Sequence, residues 1–511
     1  MFLKKSAIKI VLISIFFLFL TTNLSGQHSN TMYFLKNVPQ SGYLNPAKQF
    51  RCNFYLGFPG ISSVYLNYDN NSLDFNDFIF RGTGEYADSL ITFLHPSYDL
   101  DQFLNKLKTR NILSQEVNAS IFSLGFRAKD LYFTFDIQER VSAKVSFPKD
   151  FISILLKGNA DFLDETADFS GFGVDLNWYR EFGLGVSSKI GDRLTFGARG
   201  KLLFGMANLT TNRPAPDIGL YTDPNTFDLK LHSKTSLNVS APIEVYKNNE
   251  GEIDSIKFEN WIDSLKNYKN PFQSPEFRSF IFSNKNIGFA LDIGTEFEIN
   301  NRITLSASII DLGFIRWKDH TYNFDQDEEF EFTGFDVSSG MTINGDWNFK
   351  NEANNLLDSI VDLFDIQNEG NAYTTYLTPK IYLGGSVNIT DQLNFGILSR
   401  SEIYGGKIRE SLTFSANTLL AKFLTFSLSY SMMNNTYDNL GMGFGIKGGP
   451  LQFYLVSDHI PVTFNQIKFE DNGNETIIPI PASLRSINLR FGLNWIFGCK
   501  RGKMYDRPLI L

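Results

Sequence analysis

Three features predict an all-β chain closed into an up-and-down antiparallel barrel that crosses a membrane with its strands. About fourteen runs (12–16) alternate apolar and polar residues, an even count within the bacterial range. Their connections switch regularly between two-residue turns and long loops. An export signal precedes them all. The clearest run is 172–205, FGVDLNWYREFGLGVSSKIGDRLTFGARGKLLFG. Phe172, Val174, Leu176, Trp178, Phe182, Leu184 and Val186 share one parity, and Asp175, Asn177, Glu181, Gly183 and Gly185 share the other. A strand sends successive side chains to opposite faces, so this run has one apolar face and one polar or small face. Gly191-Asp192 interrupts the alternation, which resumes at Leu194 and marks a β-hairpin.

From the N-terminus, residues 1–26 form a signal peptide. Lys4, Lys5 and Lys9 supply the basic start, 10–20 the apolar core, and Leu24-Ser25-Gly26 a small-residue cleavage site. Gln27 follows where a lipid anchor would need Cys. No later segment holds eighteen uninterrupted apolar residues, so no transmembrane helix is expected in the mature chain. The mean hydropathy of -0.15 suits a barrel, in which only every second strand residue meets lipid. The 47 basic and 55 acidic residues leave a net charge of -8 and no basic footprint for nucleic acid.

Residues 27–59 are polar with Pro39 and Pro46 and read as a periplasmic N-terminal or hatch segment that enters or plugs the barrel mouth; 60–497 form the barrel and 498–511 a periplasmic tail. Strands are expected at about 60–69, 116–127, 131–147, 173–190, 193–208, 286–299, 302–318, 376–390, 393–404, 408–420, 423–433, 439–447, 450–458 and 484–497. Short turns at Lys129-Asp130, Gly191-Asp192, Asn300-Asn301, Thr390-Asp391, Ala421-Lys422 and Gly448-Gly449 fall on one side. The long connections 70–115, 148–172, 209–285, 319–375 and 459–483 fall on the other, which places both termini in the periplasm. Two further alternating runs, 227–243 and 329–343, are expected as hairpins above the membrane, because one extra crossing would reverse every later turn. Helical spacing occurs at Leu100, Phe103, Leu104 and Leu107, at Trp261, Ile262 and Leu265, and at Leu356, Leu357, Ile360, Val361 and Phe364.

The last strand, RFGLNWIF, resembles the C-terminal signal read by the outer-membrane barrel assembly machinery, with Arg490, Gly492, Trp495 and Phe497 in the signal positions. Here a tail follows Phe497, so the signal is internal. Asn45-Pro46-Ala47 resembles the motif in the N-terminal hatch of long-chain fatty-acid transporter (FadL-like) barrels, a group that includes the shuttle barrel of the type IX secretion system. LKNVPQSGYLNPA, IDLGFIRW and NLGMGFGIKGGPLQFYLVSDHIP together with the central hairpin resemble an uncharacterised family of Bacteroidota outer-membrane barrels. The resemblance implies fourteen strands, an outer-membrane location and a hatch at Asn45, Pro46 and Ala47.

Candidate sites follow from parity. Asp175, Glu181, Arg199, Lys201, Asp292, Glu296, Arg400 and Arg490 lie on the small, lumen-facing parity. They fit either a solute-binding lumen or interior charges that pair to fill a narrow barrel. Arg180 alone falls on the apolar parity, beside either an interface or a bulge. Trp178, Trp317, Trp495, Tyr179 and Phe497 suit aromatic belts or interior packing. Cys52 and Cys499, the only cysteines, become neighbours when a barrel closes. A seam disulfide and two free thiols both fit. The acidic run Asp325, Asp327, Glu328, Glu329 and Glu331 fits a cation site or a solvated loop, and 441–445, GMGFG, suits a crowded lumen better than a nucleotide loop because no helix follows. The five histidines, 28, 95, 232, 320 and 459, fall in no arrangement with Ser and Asp that suggests catalysis, and no metal-ligand spacing appears. The sequence therefore predicts a non-enzymatic barrel without cofactors, whose partners are outer-membrane lipid and the assembly machinery. Two functions compete: transport of a hydrophobic or small solute, and a scaffold that docks a secretion-system or surface-attachment protein.

Overall fold

Alternating runs bury their small, polar parity and expose their apolar parity only if the sheet closes on itself. The computed structural model has this form. It describes residues 30–499 apart from 83, 87–89, 212–215, 227, 248–252, 259–272, 276–277, 280–281, 333–364, 368–369, 391, 405–406, 421–422, 434–435, 461–463, 472–473 and 482–484. A closed antiparallel barrel of 14 strands dominates it. In chain order the wall is β1 (Cys52–Gly57 continued by Val64–Asn70), β2 (Arg110–Ala128), β3 (Leu131–Pro148), β4 (Gly173–Ile190), β5 (Leu194–Thr211), β6 (Asn286–Glu298) and β7 (Ile303–Trp317). It continues with β8 (Tyr373–Tyr376 and Lys380–Asn388), β9 (Leu393–Tyr404), β10 (Lys407–Leu420), β11 (Leu424–Met433), β12 (Thr436–Gly448), β13 (Leu451–Ser457) and β14 (Ser486–Cys499). Each strand pairs with its successor, and β14 returns to β1 through Cys52↔Cys499 and Val64↔Phe491.

Three of the short turns on the lower rim place Lys129, Gly191 and Gly449 at positive φ, the backbone that tight hairpins demand. The outer face carries an apolar belt. Leu184, Phe196, Phe289, Leu312, Leu383, Phe395, Phe414, Leu455 and Ile487 are all exposed and come from nine different strands. In water such a surface would aggregate, and in a bilayer it is the required one. Among the described residues, no helix is long and apolar enough to cross a membrane.

The structure differs from the sequence expectation in several places. The wall begins at Cys52 rather than at 60, because Cys52–Gly57 already pairs with both β14 and β2. Residues 58–63 then leave the ladder. Seven residue steps from Gly57 to Val64 face only three on β14, from Asn494 to Phe491. This kink remains stitched, since Gly60 N–H donates to Ile121 O and Leu493 N–H donates to Ile61 O. The run expected as one hairpin at 227–243 is the strand Leu229–Ser240, and it pairs along its whole length with Thr321–Phe332. Together they extend the wall above β5 and β7 instead of standing apart. The acidic run therefore lies on a paired strand and not in a loop, and Asp327 pairs with Lys234 across the ladder. Residues 333–343 lie outside the described residues, as do the helical patterns at 261–265 and 356–364. Leu100–Leu104 is helical, capped by the Asp99 carboxylate, which accepts from Asp101 N–H at 3.0 Å. A second helix, Lys149–Lys157, with Pro148 at its N-cap, lies in the connection 148–172, where none was expected.

Cys52 and Cys499 are disulfide-bonded in register across the seam. Beneath them Phe50, Tyr55, Tyr132 and Ile496 pack as one apolar cluster. Cys52→Ser is expected to lower the temperature at which the folded band disappears in semi-native electrophoresis, in line with a cost of about 2–5 kcal/mol for a native disulfide. An unchanged transition would mean that strand pairing alone holds the seam.

Candidate functional site

The N-terminal segment fills the barrel. Residues 30–50 are buried almost throughout, with Thr31, Met32, Leu35, Gln40, Asn45 and Ala47 wholly inaccessible. Two short 3-10 turns, Thr31–Phe34 and Pro39–Tyr43, fold it compactly, the second started by Pro39 at its first position. The segment passes well beyond the lower mouth. Asn30 Nδ2 donates to Ser411 Oγ and Thr413 Oγ1 on β10, both at 3.1 Å, and Thr31 N–H donates to Asp458 Oδ1 at 2.6 Å beyond the upper end of β13. Asn30 thus sits inside the lumen, so the segment expected to enter or plug the mouth reaches deep into the barrel.

Asn45-Pro46-Ala47 forms the tightest contact with the wall. Asn45 Oδ1 accepts from Ala47 N–H at 2.9 Å, closing a local turn, while Nδ2 reaches the strand carbonyls of Thr295 (3.3 Å) and Ala307 (3.5 Å). This fit requires bare backbone opposite. A Cβ at Gly294 would lie 2.0 Å from Asn45 Oδ1, and one at Gly197 would lie 2.2 Å from Pro46 O. Across the lumen, a Cβ at Gly443 would press on Leu35 and one at Gly441 on Thr31, so two of the three glycines in 441–445 face the hatch closely. Gln40 closes the kink of β1, donating to Ser62 Oγ (3.2 Å) and Asn494 Oδ1 (2.7 Å). At the exit Arg127 donates to Gln49 Oε1 and Phe50 O.

Against this hatch lies a buried layer of charge. Four carboxylates (Asp136, Glu181, Asp292 and Asp311) meet four cations (Arg140, Arg199, Lys201 and Lys380) on strands β3 to β8. Lys201 Nζ is 2.6 Å from Asp311 and 2.9 Å from Asp292, and Arg140 bridges Glu181 (3.0 Å) and Asp311 (3.3 Å). Equal numbers of each sign let such a layer exist in a dry interior, where an unmatched charge would be prohibitive. Arg199 Nη2 also donates to Gly42 O and stands over the Tyr43 ring, which ties the layer to the hatch. Beyond it a cleft of about 70 Å³ is lined by Glu116, Arg140, Lys144, Lys380, Glu402 and Arg409. Ligand pockets usually run to about 300–1,000 Å³, so this cleft is smaller than a usual ligand pocket.

The eight polar residues singled out by parity all face inward. Glu181, Arg199, Lys201, Asp292, Arg400 and Arg490 are buried, Glu296 reaches Lys36 of the hatch at 4.0 Å, and Asp175 lines the cleft. Arg400 pairs with Glu402, and Arg490 stacks on Tyr65. In the terminal signal Arg490 and Gly492 point inward, while Trp495 stacks on Phe58 and Phe497 is exposed outside. Trp317 and Tyr179 pack inside; Trp317 covers Gly205 and donates to Thr375 Oγ1 at 2.8 Å. Arg180 stays outside, paired with Glu139 on β3. Asp136, Arg140 and Lys380 were missed although parity on β3 and β8 marks them. Asp311 could not be found that way. A bulge against β6 turns both Ile310 and Asp311 inward, with Asp311 at positive φ, and flips the parity of everything after it.

Asp311→Ala leaves three cations facing a lost partner and is expected to cost about 3–5 kcal/mol in urea unfolding of the detergent-solubilised barrel. Gly294→Val is expected to dislodge Asn45, so that a protease cuts within 30–50 in folded protein while the barrel itself survives; continued protection would contradict the tight fit.

No curated protein matches the chain significantly. A Pseudomonas aeruginosa FadL homologue of known structure is similar at 10% identity over 93% of this chain and 100% of that one, with a TM-score of 0.42. The toluene transporters TodX of P. putida (8% identity, 89% of this chain and 92% of that one, TM-score 0.35) and TbuX of Ralstonia pickettii (9%, 90% and 94%, 0.36) are similar too. A family model covers residues 46–458, from the hatch motif to the end of β13, and the chain belongs to that family, described as a family of unknown function (DUF5723).

Proposed function

We propose that this chain is a gated outer-membrane transporter, captured closed, whose own N-terminal segment is the gate. The observation that carries the proposal is the hatch itself. It is a separate compact piece, joined covalently to the wall only through residue 51, and held elsewhere by hydrogen bonds and side-chain packing. A scaffold could be filled by side chains fixed to its wall, whereas this filling is a chain segment that can leave without breaking the wall's strand pairing. With the signal removed after Gly26, the short turns and the Cys52–Cys499 seam face the periplasm, and the long loops face outward.

The lining bears on the solute. TodX and TbuX are described as toluene transporters. The cleft in this chain carries Glu116, Arg140, Lys144, Lys380, Glu402 and Arg409, which favour a small polar or charged solute over a hydrocarbon. Planar-bilayer recording tests the proposal. The intact barrel is expected to be silent with rare openings, and a variant lacking residues 30–50 to conduct steadily. A folded hatch-free barrel that stays silent would overturn the transporter reading and leave the docking scaffold.

A further inference from the structure

We infer that the outer wall over β3 and β4 is the contact surface of a symmetric dimer, with the two-fold axis passing between Glu139 and Arg180. These residues are directly paired in register, and Arg180 Nε donates to Glu139 Oε1 at 2.5 Å. Trp178 Nε1 donates to the second carboxylate oxygen, Oε2, at 3.0 Å. The group faces outward: Arg180 shares its parity with exposed Leu184 and Val186, and Glu139 with exposed Leu131 and Val145, whereas neighbours Glu181 and Arg140 point into the lumen.

The surroundings make this position unusual. Every other outward residue from Phe133 to Val145 on β3, and from Val174 to Val186 on β4, is apolar. A cation on the lipid face of a barrel costs about 2–4 kcal/mol at the midplane and falls toward about 0–1 at the interfaces. Ionisable residues inside a membrane belt usually mark function. The wall is also low beside the pair. Ala119 lies next to Glu139 and Ala207 next to Trp178, so another surface can approach closely.

Symmetry names the occupant. Two copies inserted in the same direction can be related only by an axis along the membrane normal. That axis preserves height and exchanges left with right on the facing wall. A Glu and an Arg side by side therefore meet an Arg and a Glu of the second copy, and four charges close into a neutral ring. An anionic lipid headgroup fits less well, because Glu139 already neutralises Arg180.

Val141→Cys puts a thiol on this face, next to the axis, in full-length protein with its charges intact. Oxidative cross-linking in native outer membranes is expected to give a species of twice the mass, and native mass spectrometry of the unmodified protein in detergent a dimer. In the Val141→Cys background, Glu139→Arg or Arg180→Glu alone sets like charges against each other and is expected to reduce cross-linking at least tenfold. The double reversal restores it. Heat-modifiable mobility reports whether each variant has folded. A monomeric mass for the unmodified protein, a cross-link to a different protein, or failure of the folded double reversal to recover would each overturn the proposal.

Discussion

A bilayer offers no water to an unpaired N–H or C=O, and that constraint governs this molecule. Closure is the only solution open to a chain built from alternating strands. The whole wall therefore depends on one long-range event, the meeting of β1 with β14 across nearly the entire sequence. The structure reinforces that meeting with a bond between Cys52 and Cys499 and with stacking of Phe58 on Trp495. It also tolerates a kink in β1 because backbone atoms of 58–63 still reach both neighbouring strands.

Closure creates a second problem, an interior that must be filled. Two materials fill it. Wall side chains supply a balanced charge layer, and the N-terminus supplies a hatch whose residues, among them Tyr33, Phe34, Leu35 and Asn45, lie against wall glycines. The two are connected at Arg199, Gly42 and Tyr43, so the hatch cannot leave without disturbing the charges. Coupling of this kind allows a plug to be stable and removable together, since hydrogen bonds exchanged for water cost little net free energy.

Much of the fold was legible in the sequence because it depends on one period. Alternation with turns such as Gly191-Asp192 locates a hairpin without any long-range information, and fourteen such runs define the barrel. The inward charges were legible for the same reason. What escaped were departures from the period. Asp311 sits at a bulge that reverses parity, and Cys52–Gly57 is too short and too close to Pro59 to read as a strand. The depth of the hatch was also hidden. Nothing local in TMYFLKNVPQSGYLNPA says that it is surrounded by wall; only the glycines facing it, far away in the chain, carry that information. Trp317 shows the same limit, since an aromatic near a strand end suits a membrane belt until Gly205 is seen beneath it.

The central claim, that residues 30–50 are a movable gate, has a direct test in a reversible lock. Thr31 Oγ1 and Ser429 Oγ are 2.6 Å apart, so Thr31→Cys with Ser429→Cys can bond the hatch to β11. The account predicts that solute flux through the locked barrel in proteoliposomes falls to background and returns on mild reduction, under conditions that leave the unmodified protein unchanged. Flux that persists with the lock fully formed would contradict it.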